Sequence, residues 1–179
     1  MRRGVTRSTL DEIAKEAGVT RGAVYWHFEN KNAIFKAMHD RVKLPMDTLF
    51  LELTSGPDPL AGLKAMCVHV FRTLETDLHA RNVFTIMRLR CEDSYCEEGG
   101  YTQQLDAKYK EVQQKFMRVF EHIAQQHPLA TGVTPEFAAI AMHSFVSGVF
   151  WDYLNRPGAY PIGAMGPQLV ETFFRGIIR

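Results

Sequence analysis

Apolar positions recur with helical spacing along nearly the whole chain, and no stretch shows the period-two alternation of a strand. Leu10 and Ile13, continued by Ala14 and Ala17, make a short apolar stripe. Ala33, Ile34, Phe35, Met38, Val42, Met46, Leu49, Phe50 and Leu53 make a much longer one, which Pro45 should kink by removing a donor and crowding the preceding turn. Residues 55–59, Ser-Gly-Pro-Asp-Pro, break the pattern. Leu60, Leu63, Cys67, Val70, Phe71, Leu74 and Leu78 then mark a buried helix, and Ala80, Phe84, Met87 and Cys91 mark another. After a break at residues 97–100, Leu105, Tyr109, Val112, Phe116, Phe120 and Ile123 share one face of a long helix. Residues 127–134 read as a loop. From 137 to 154 apolar or small residues occur almost all round, among them Ile140, Ala141, Met142, Phe145, Val146, Val149 and Phe150. Such a helix is expected to be buried on every side. Leu169, Val170, Phe173, Phe174, Ile177 and Ile178 close the chain with a broad stripe.

Polar punctuation sharpens the first elements. Thr9, with Glu12 three residues on, is a capping box, so Thr9 stands in front of the first helix. Gly18 stands where that helix must stop, because glycine takes the left-handed cap conformation without strain. Val19 is expected to turn inward, and Thr20 to cap a second helix over 21–28. Small Ala14 allows a close crossing that Val24 fills. The result is a helix-turn-helix, whose second helix enters the major groove of DNA. Further on, Asn30, Asp58 and Thr134 read as caps, with Pro59 and Pro135 at first helical positions.

The outward face of the second helix suits a nucleic acid. Arg21 can donate two bonds to a guanine, and Gly22 lets the backbone come close. Tyr25, Trp26, His27 and Lys31 bring hydroxyl, indole, imidazole and ammonium donors for phosphate oxygens. Three adjacent large residues, Tyr25 to His27, cannot all face one core, whereas Phe28 is expected to belong to it. Thr9, Thr20, Arg21, Gly22, Tyr25, Trp26, His27 and Lys31 are thus the candidate DNA-binding residues.

The run GVTRGAVYWHFENKNAIF resembles the head of the TetR family of one-component repressors, most closely its AcrR-like branch controlling multidrug efflux pumps. The resemblance covers residues 1 to 54 and continues beyond them as helical pattern. It implies an all-α fold, with a helix-turn-helix head at 1–45 and a ligand-binding and dimerisation body at 46–179. It also implies a further helix ahead of Thr9, for which the preceding residues are too few. The first family helix is therefore expected to be missing, residues 1–8 to be extended, and the head to be the most mobile part.

Charge changes the picture only in its distribution. The net charge is +1, yet residues 1–43 hold nine Lys/Arg against five Asp/Glu, which is +4 and leaves −3 for the rest. That places the positive excess on the head, as a polyanion binder needs. No window approaches the ~18 apolar residues of a membrane span, and there is no signal peptide, so a soluble cytoplasmic protein without a membrane partner is expected. Cys67, Cys91 and Cys96 are odd in number and too scattered for zinc, which suits buried or incidental thiols in a reducing compartment. The seven histidines are dispersed; His69 and His143 fall near apolar faces, where core or pocket roles outweigh catalysis. No nucleophile, phosphate-loop or metal motif appears, so neither an enzyme, a cofactor nor a metal site is expected.

The body has soft and aromatic residues in excess, Met66, Phe71, Phe84, Met87, Tyr109, Phe116, Phe145, Phe150 and Trp151 among them, whose adaptable surfaces suit varied apolar or aromatic ligands; taken with the resemblance, they imply a drug-sized cavity between the middle helices. The resemblance adds Val70, Phe84, Arg88, His143, Val146, Ser147 and Trp151 as positions matching family pocket linings. Phe84 and Trp151 depart from it, standing where polar residues are common. The two last helices of two copies would form a four-helix bundle through Ser144, Gly148, Phe173, Phe174 and Ile177, with Gly148 at a close crossing. The expected function is a homodimeric repressor of a multidrug efflux operon that an apolar drug-like inducer releases from its double-stranded operator. A metabolic regulator with one specific metabolite, and a helical interaction protein that has lost DNA binding, are the alternatives.

Overall fold

The computed structural model describes residues 8–94 and 101–179, leaving aside the side chains at 39, 43–46, 53, 87–94 and 101–108. Eight helices are assigned among them: α1 (Leu10–Glu16), α2 (Arg21–His27), α3 (Lys31–Thr54), α4 (Pro59–Thr76), α5 (Leu78–Ser94), α6 (Tyr101–Gln126), α7 (Pro135–Asn155) and α8 (Ile162–Ile177). No strand is present among the described residues; an isolated bridge between Leu129 and Ile178 ties the α6–α7 loop to the end of α8. α3 is assigned as one element through Pro45, whose own placement lies outside the described side chains.

The caps explain where the helices begin. Thr9 and Glu12 form the full capping box, with Glu12 N–H donating to Thr9 Oγ1 at 3.2 Å and Thr9 N–H to Glu12 Oε2 at 3.0 Å. Thr20, Asn30, Asp58 and Thr134 each accept from the backbone N–H three residues on. α4 ends at Thr76, two residues before its apolar stripe does. Asp77 accepts from Ala80 N–H at 2.9 Å and starts α5 immediately. Leu78, expected on the buried face of α4, therefore opens α5 and is 59% exposed.

α4 is the centre of the body. It packs against α8, α3, α5, α6 and α7, while α6 pairs with α7. Leu63, Phe71 and Leu74 of α4, Phe120 and Ile123 of α6, Met142 of α7 and Val170 and Phe174 of α8 are fully buried in one core. Two glycines bring α8 close. A Cβ at Gly166 would stand 3.3 Å from the Phe71 ring, and one at Gly163 would collide with the Glu75 carboxylate. An aromatic chain runs through the body: Phe71 meets Phe145 edge-on, Phe145 stacks on Phe173 at 4.7 Å, and Phe174 stacks with Phe120. Phe50 of α3 meets Phe116 of α6 edge-on at 5.5 Å, so the long helix that carries the head rests on the body.

In the head, Ala14 and Val24 are buried where α1 and α2 cross. Gly18 has φ of +69°, and the two bonds that close a Schellman turn are both made: Val19 N–H to Ala14 C=O at 3.0 Å and Gly18 N–H to Lys15 C=O at 3.2 Å. Val19 does not turn inward as expected. Its N–H closes the turn while its side chain stays outside the Ala14–Val24 contact, 47% exposed. A Cβ at Gly18 would have open space but the wrong φ. Gly18→Ala should therefore cost about 1 kcal/mol of head stability by backbone strain alone. Hydrogen exchange at the Val19 and Val24 amides should speed up roughly five-fold; unchanged exchange would count against this role for the glycine.

Candidate nucleic-acid interface and ligand-binding body

α2 presents its outer face to solvent. Arg21, Gly22, Tyr25, Trp26 and His27 are all exposed, Trp26 at 85%. The Thr20 hydroxyl is occupied in capping, accepting from Ala23 N–H at 3.2 Å, and Thr9 is likewise engaged with Glu12. Arg21 is held from two sides. Its Nε lies 3.1 Å from Asp11 Oδ1 of α1, and its guanidinium sits over the Tyr25 ring at 5.1 Å. Asp11, in the first turn of α1, is a residue the sequence reading missed. Lys31 is not a free donor on this face. Its ammonium donates to the Ser8 carbonyl at 3.1 Å and clasps the start of α3 to the residue before the capping box. Phe28 is half-buried at the end of α2.

The candidate ligand positions are spread over α4, α5, α6 and α7. Met66 and Val70 are half-buried on α4. Phe84 of α5 meets Phe150 of α7 edge-on at 4.9 Å, and Phe150 meets exposed Trp151 at 5.1 Å. Tyr109 of α6 meets His143 of α7 edge-on at 5.0 Å. Partial burial lowers the His143 pKa from its ordinary value, which favours the neutral ring. Val146 and Ser147 are half-buried on α7, and the side chains of Met87 and Arg88 lie outside the described residues.

Two clefts border these helices, and among the candidate ligand positions with described side chains Tyr109 lines one of them. The larger, about 530 Å³, lies between α3, α4 and α8, lined by Leu49, Val68, His69, Arg72, Pro167 and Glu171 among others. His69, expected near an apolar face, is thus an exposed residue on the outer side of α4, its Nε2 3.4 Å from the Thr73 hydroxyl. Across this cleft Lys64 donates to Glu171 at 2.8 Å, and that ammonium lowers the Glu171 pKa. The smaller, about 240 Å³, lies between α6 and α7, where Tyr109, Gln113, Met117, Ala139 and Ile140 meet. Gln113 was also missed, although it stands seven residues before Phe120 and so on the same apolar stripe.

The candidate dimer residues divide. Ser144 and Gly148 are exposed on α7, and nothing lies within 4 Å of a Cβ at Gly148, so it is not at a close crossing within the chain. Together with Phe137, Ile140 and Trp151 they form one exposed stripe, so α7 is not buried on every side of a single chain. Phe173 is half-buried against Phe145. Phe174 and Ile177 are corrected: each is buried in the chain's own core, Phe174 against Phe120, and neither is available to a partner. Cys67 is buried, its Sγ donating to Leu63 C=O, and burial pushes its thiol up to about 12, well away from thiolate chemistry. Cys91 and Cys96 lie outside the described residues. Among the described residues no cluster could hold a metal ion, and no helix is long and apolar enough to cross a membrane.

Comparison with known proteins agrees with this geometry. Residues 1–38 match the family model for bacterial regulatory proteins of the tetR family, and residues 58–178 match the C-terminal region of MAATS-type transcriptional repressors. The HTH-type transcriptional repressor BepR of Brucella suis biovar 1 (strain 1330) is 30% identical over 179 residues, covering 99% of this chain and 85% of that protein. The crystal structure of NalD, the secondary repressor of the MexAB-OprM multidrug efflux pump in Pseudomonas aeruginosa, superposes with a TM-score of 0.77 at 33% identity, over 99% of this chain and 89% of that one. SmeT, the repressor of the Stenotrophomonas maltophilia multidrug efflux pump SmeDEF, superposes with a TM-score of 0.77 at 29% identity, over 99% and 83%; it has also been solved in complex with triclosan. With an all-α fold, a helix-turn-helix head and relatives that are repressors rather than enzymes, this chain belongs to the tetR family of bacterial transcriptional regulators.

Proposed function

We propose that this protein is a cytoplasmic homodimer that represses a multidrug efflux operon and leaves its operator when a drug-sized apolar or aromatic ligand binds the body. The head at 1–45 would read DNA and the body at 46–179 would hold the ligand and the partner. The observation that carries the reading is the outer face of α2, where Arg21, Tyr25, Trp26 and His27 stand exposed on a helix fixed by the Gly18 turn. Each head would place this face in a major groove, with half-sites about 34 Å apart or a multiple of that. The relatives that repress efflux pumps, and the SmeT complex with triclosan, support the operon class and a small-molecule ligand.

Release follows from linkage. A ligand shifts the equilibrium only by binding the non-DNA state more tightly, and DNA must then weaken ligand binding by the same factor. Retardation of the protein's own upstream DNA, repeated with a panel of unrelated dyes and antibiotics, tests this. Release by several unrelated compounds is expected. Release by one metabolite alone would instead make it a metabolic regulator, and no retardation at all would leave only a helical interaction protein.

Asp11 offers a finer test. Both partners of the Asp11–Arg21 pair are exposed, so the pair adds little stability, within about 1 kcal/mol. Its effect is on aim: the carboxylate keeps the guanidinium from being captured by a phosphate. Asp11→Asn should raise binding to unrelated DNA a few-fold by removing a like charge, and lower the ratio of operator to unrelated binding. Anisotropy titrations on both DNAs would show it; a ratio that stays constant would rule this role out.

A further inference from the structure

Gln113 is the one polar side chain among the described residues whose buried atoms have no partner. Both its amide nitrogen and its carbonyl oxygen are closed to solvent and make no hydrogen bond. Buried polar groups are almost always paired, because an unmet donor or acceptor forgoes its hydrogen bonds to water and receives nothing in return. Here two are unmet on one residue, in the middle of the stripe that leads to fully buried Phe120. An apolar residue would sit there at no such cost. The side chain also lines the cleft between α6 and α7, next to Tyr109, Lys110, Gln114 and Met117, with Glu136, Ala139 and Ile140 opposite. Tyr109 in turn rests edge-on against the His143 ring.

We infer that Gln113 is the polar anchor of a ligand site between α6 and α7, and that the site takes flat aromatic molecules bearing a carboxamide or similarly paired donor and acceptor. The inference rests on the proposal that the body binds a small molecule, and it names the chemistry of that molecule. An amide offers one donor and one acceptor side by side, so a ligand carboxamide can satisfy both at once. The aromatic part would lie against Tyr109 and Met117, soft surfaces that accept a ring of variable outline, with exposed Lys110, Gln114 and Glu136 beside them. Because the amide is closed off from solvent, a ligand must part α6 from α7 to reach it. It therefore binds the parted arrangement preferentially, which is the differential affinity a release mechanism requires. Phe116, one turn along α6 from Gln113, carries the contact with Phe50 of the head-bearing helix.

The test compares two probes of similar shape, naphthalene-2-carboxamide and 2-isopropylnaphthalene, by calorimetric titration of the full chain. The wild type should bind the carboxamide at least ten-fold more tightly than the hydrocarbon. In Gln113→Leu that preference should vanish while hydrocarbon binding persists, and the melting temperature should hold or rise, since two unmet polar atoms are gone. Gln113→Met, longer and unbranched, serves if the leucine variant does not fold. A preference that survives both substitutions overturns the inference, because the carboxamide would then be recognised elsewhere. A lowered melting temperature with the preference intact also overturns it, showing Gln113 to be a structural residue satisfied by water. Failure of both probes on the wild type overturns it too; the dye and antibiotic panel then decides whether the ligand reading falls with it or stands without Gln113.

Discussion

Replacing Arg21 by alanine should weaken operator binding by about 1–3 kcal/mol, a factor of roughly 5 to 150, and leave binding to unrelated DNA within a few-fold of wild type. The reasoning starts from where the structure puts the side chain. Arg21 is the first residue of α2, immediately after the Thr20 cap, at the end of the helix that approaches base edges. It is exposed, and its two contacts, Asp11 and the Tyr25 ring, are both on the surface. Removing it therefore exposes no cavity and breaks no core, and the melting temperature should not move. What is lost is a forked donor that a guanine edge can accept twice, an interaction that unrelated sequences do not offer. Trp26→Ala is the comparison. The most exposed large side chain on this face would, in the proposed complex, meet backbone oxygens, so its loss should weaken operator and unrelated DNA by the same factor. Anisotropy titrations at several salt concentrations would separate the two. If Arg21→Ala weakens all sequences equally, the helix does not read bases as proposed.

What could be read in the sequence is what is decided locally. The caps at Thr9, Thr20, Asn30, Asp58 and Thr134 depend on residues three apart, and every one is where the pattern puts it. Gly18 is legible for the same reason: only its own φ matters. The break at Asp77 was hidden because no glycine or proline marks it, and the apolar spacing runs on through Leu78. Gly163 and Gly166 were hidden because an absent side chain leaves no mark in a hydrophobic pattern, although their backbone is what lets α8 approach Phe71. Periodicity also says that Phe174 and Ile177 seek burial without saying what buries them, and their own core does so. Cavities are harder still, since they are set by how α3, α4, α6, α7 and α8 are spaced. Among the expected ligand positions with described side chains, Tyr109 borders one of these clefts. Gln113 was visible as a polar residue on an apolar stripe, and only the structure shows that nothing answers it.

Gly148→Glu should leave the chain folded and abolish tight operator binding. In the single chain nothing lies within 4 Å of a Cβ at this position, and the helix around it is regular, so a longer side chain meets open space. Helix propensity even favours the change, by up to about 1 kcal/mol. The same position lies in the exposed α7 stripe with Phe137, Ile140, Ser144 and Trp151, of which Phe137 is 55% and Ile140 45% exposed. A line of large apolar residues interrupted by small ones is a surface another helix can approach closely, and in a two-fold dimer it meets its own copy. A carboxylate there would be buried twice, once from each subunit, with no cation facing it from α7 among the described residues of the stripe. An uncompensated buried charge costs roughly 3–5 kcal/mol, which corresponds to two to four factors of ten in the dimer dissociation constant. Operator binding would fall with it, because a monomer engages a single half-site. Sedimentation should thus show a dimer for the wild type and a monomer of unchanged melting temperature for Gly148→Glu. A variant that remains dimeric at micromolar concentration would place the partner on another face; one that loses its fold instead would show that Gly148 is needed inside the chain.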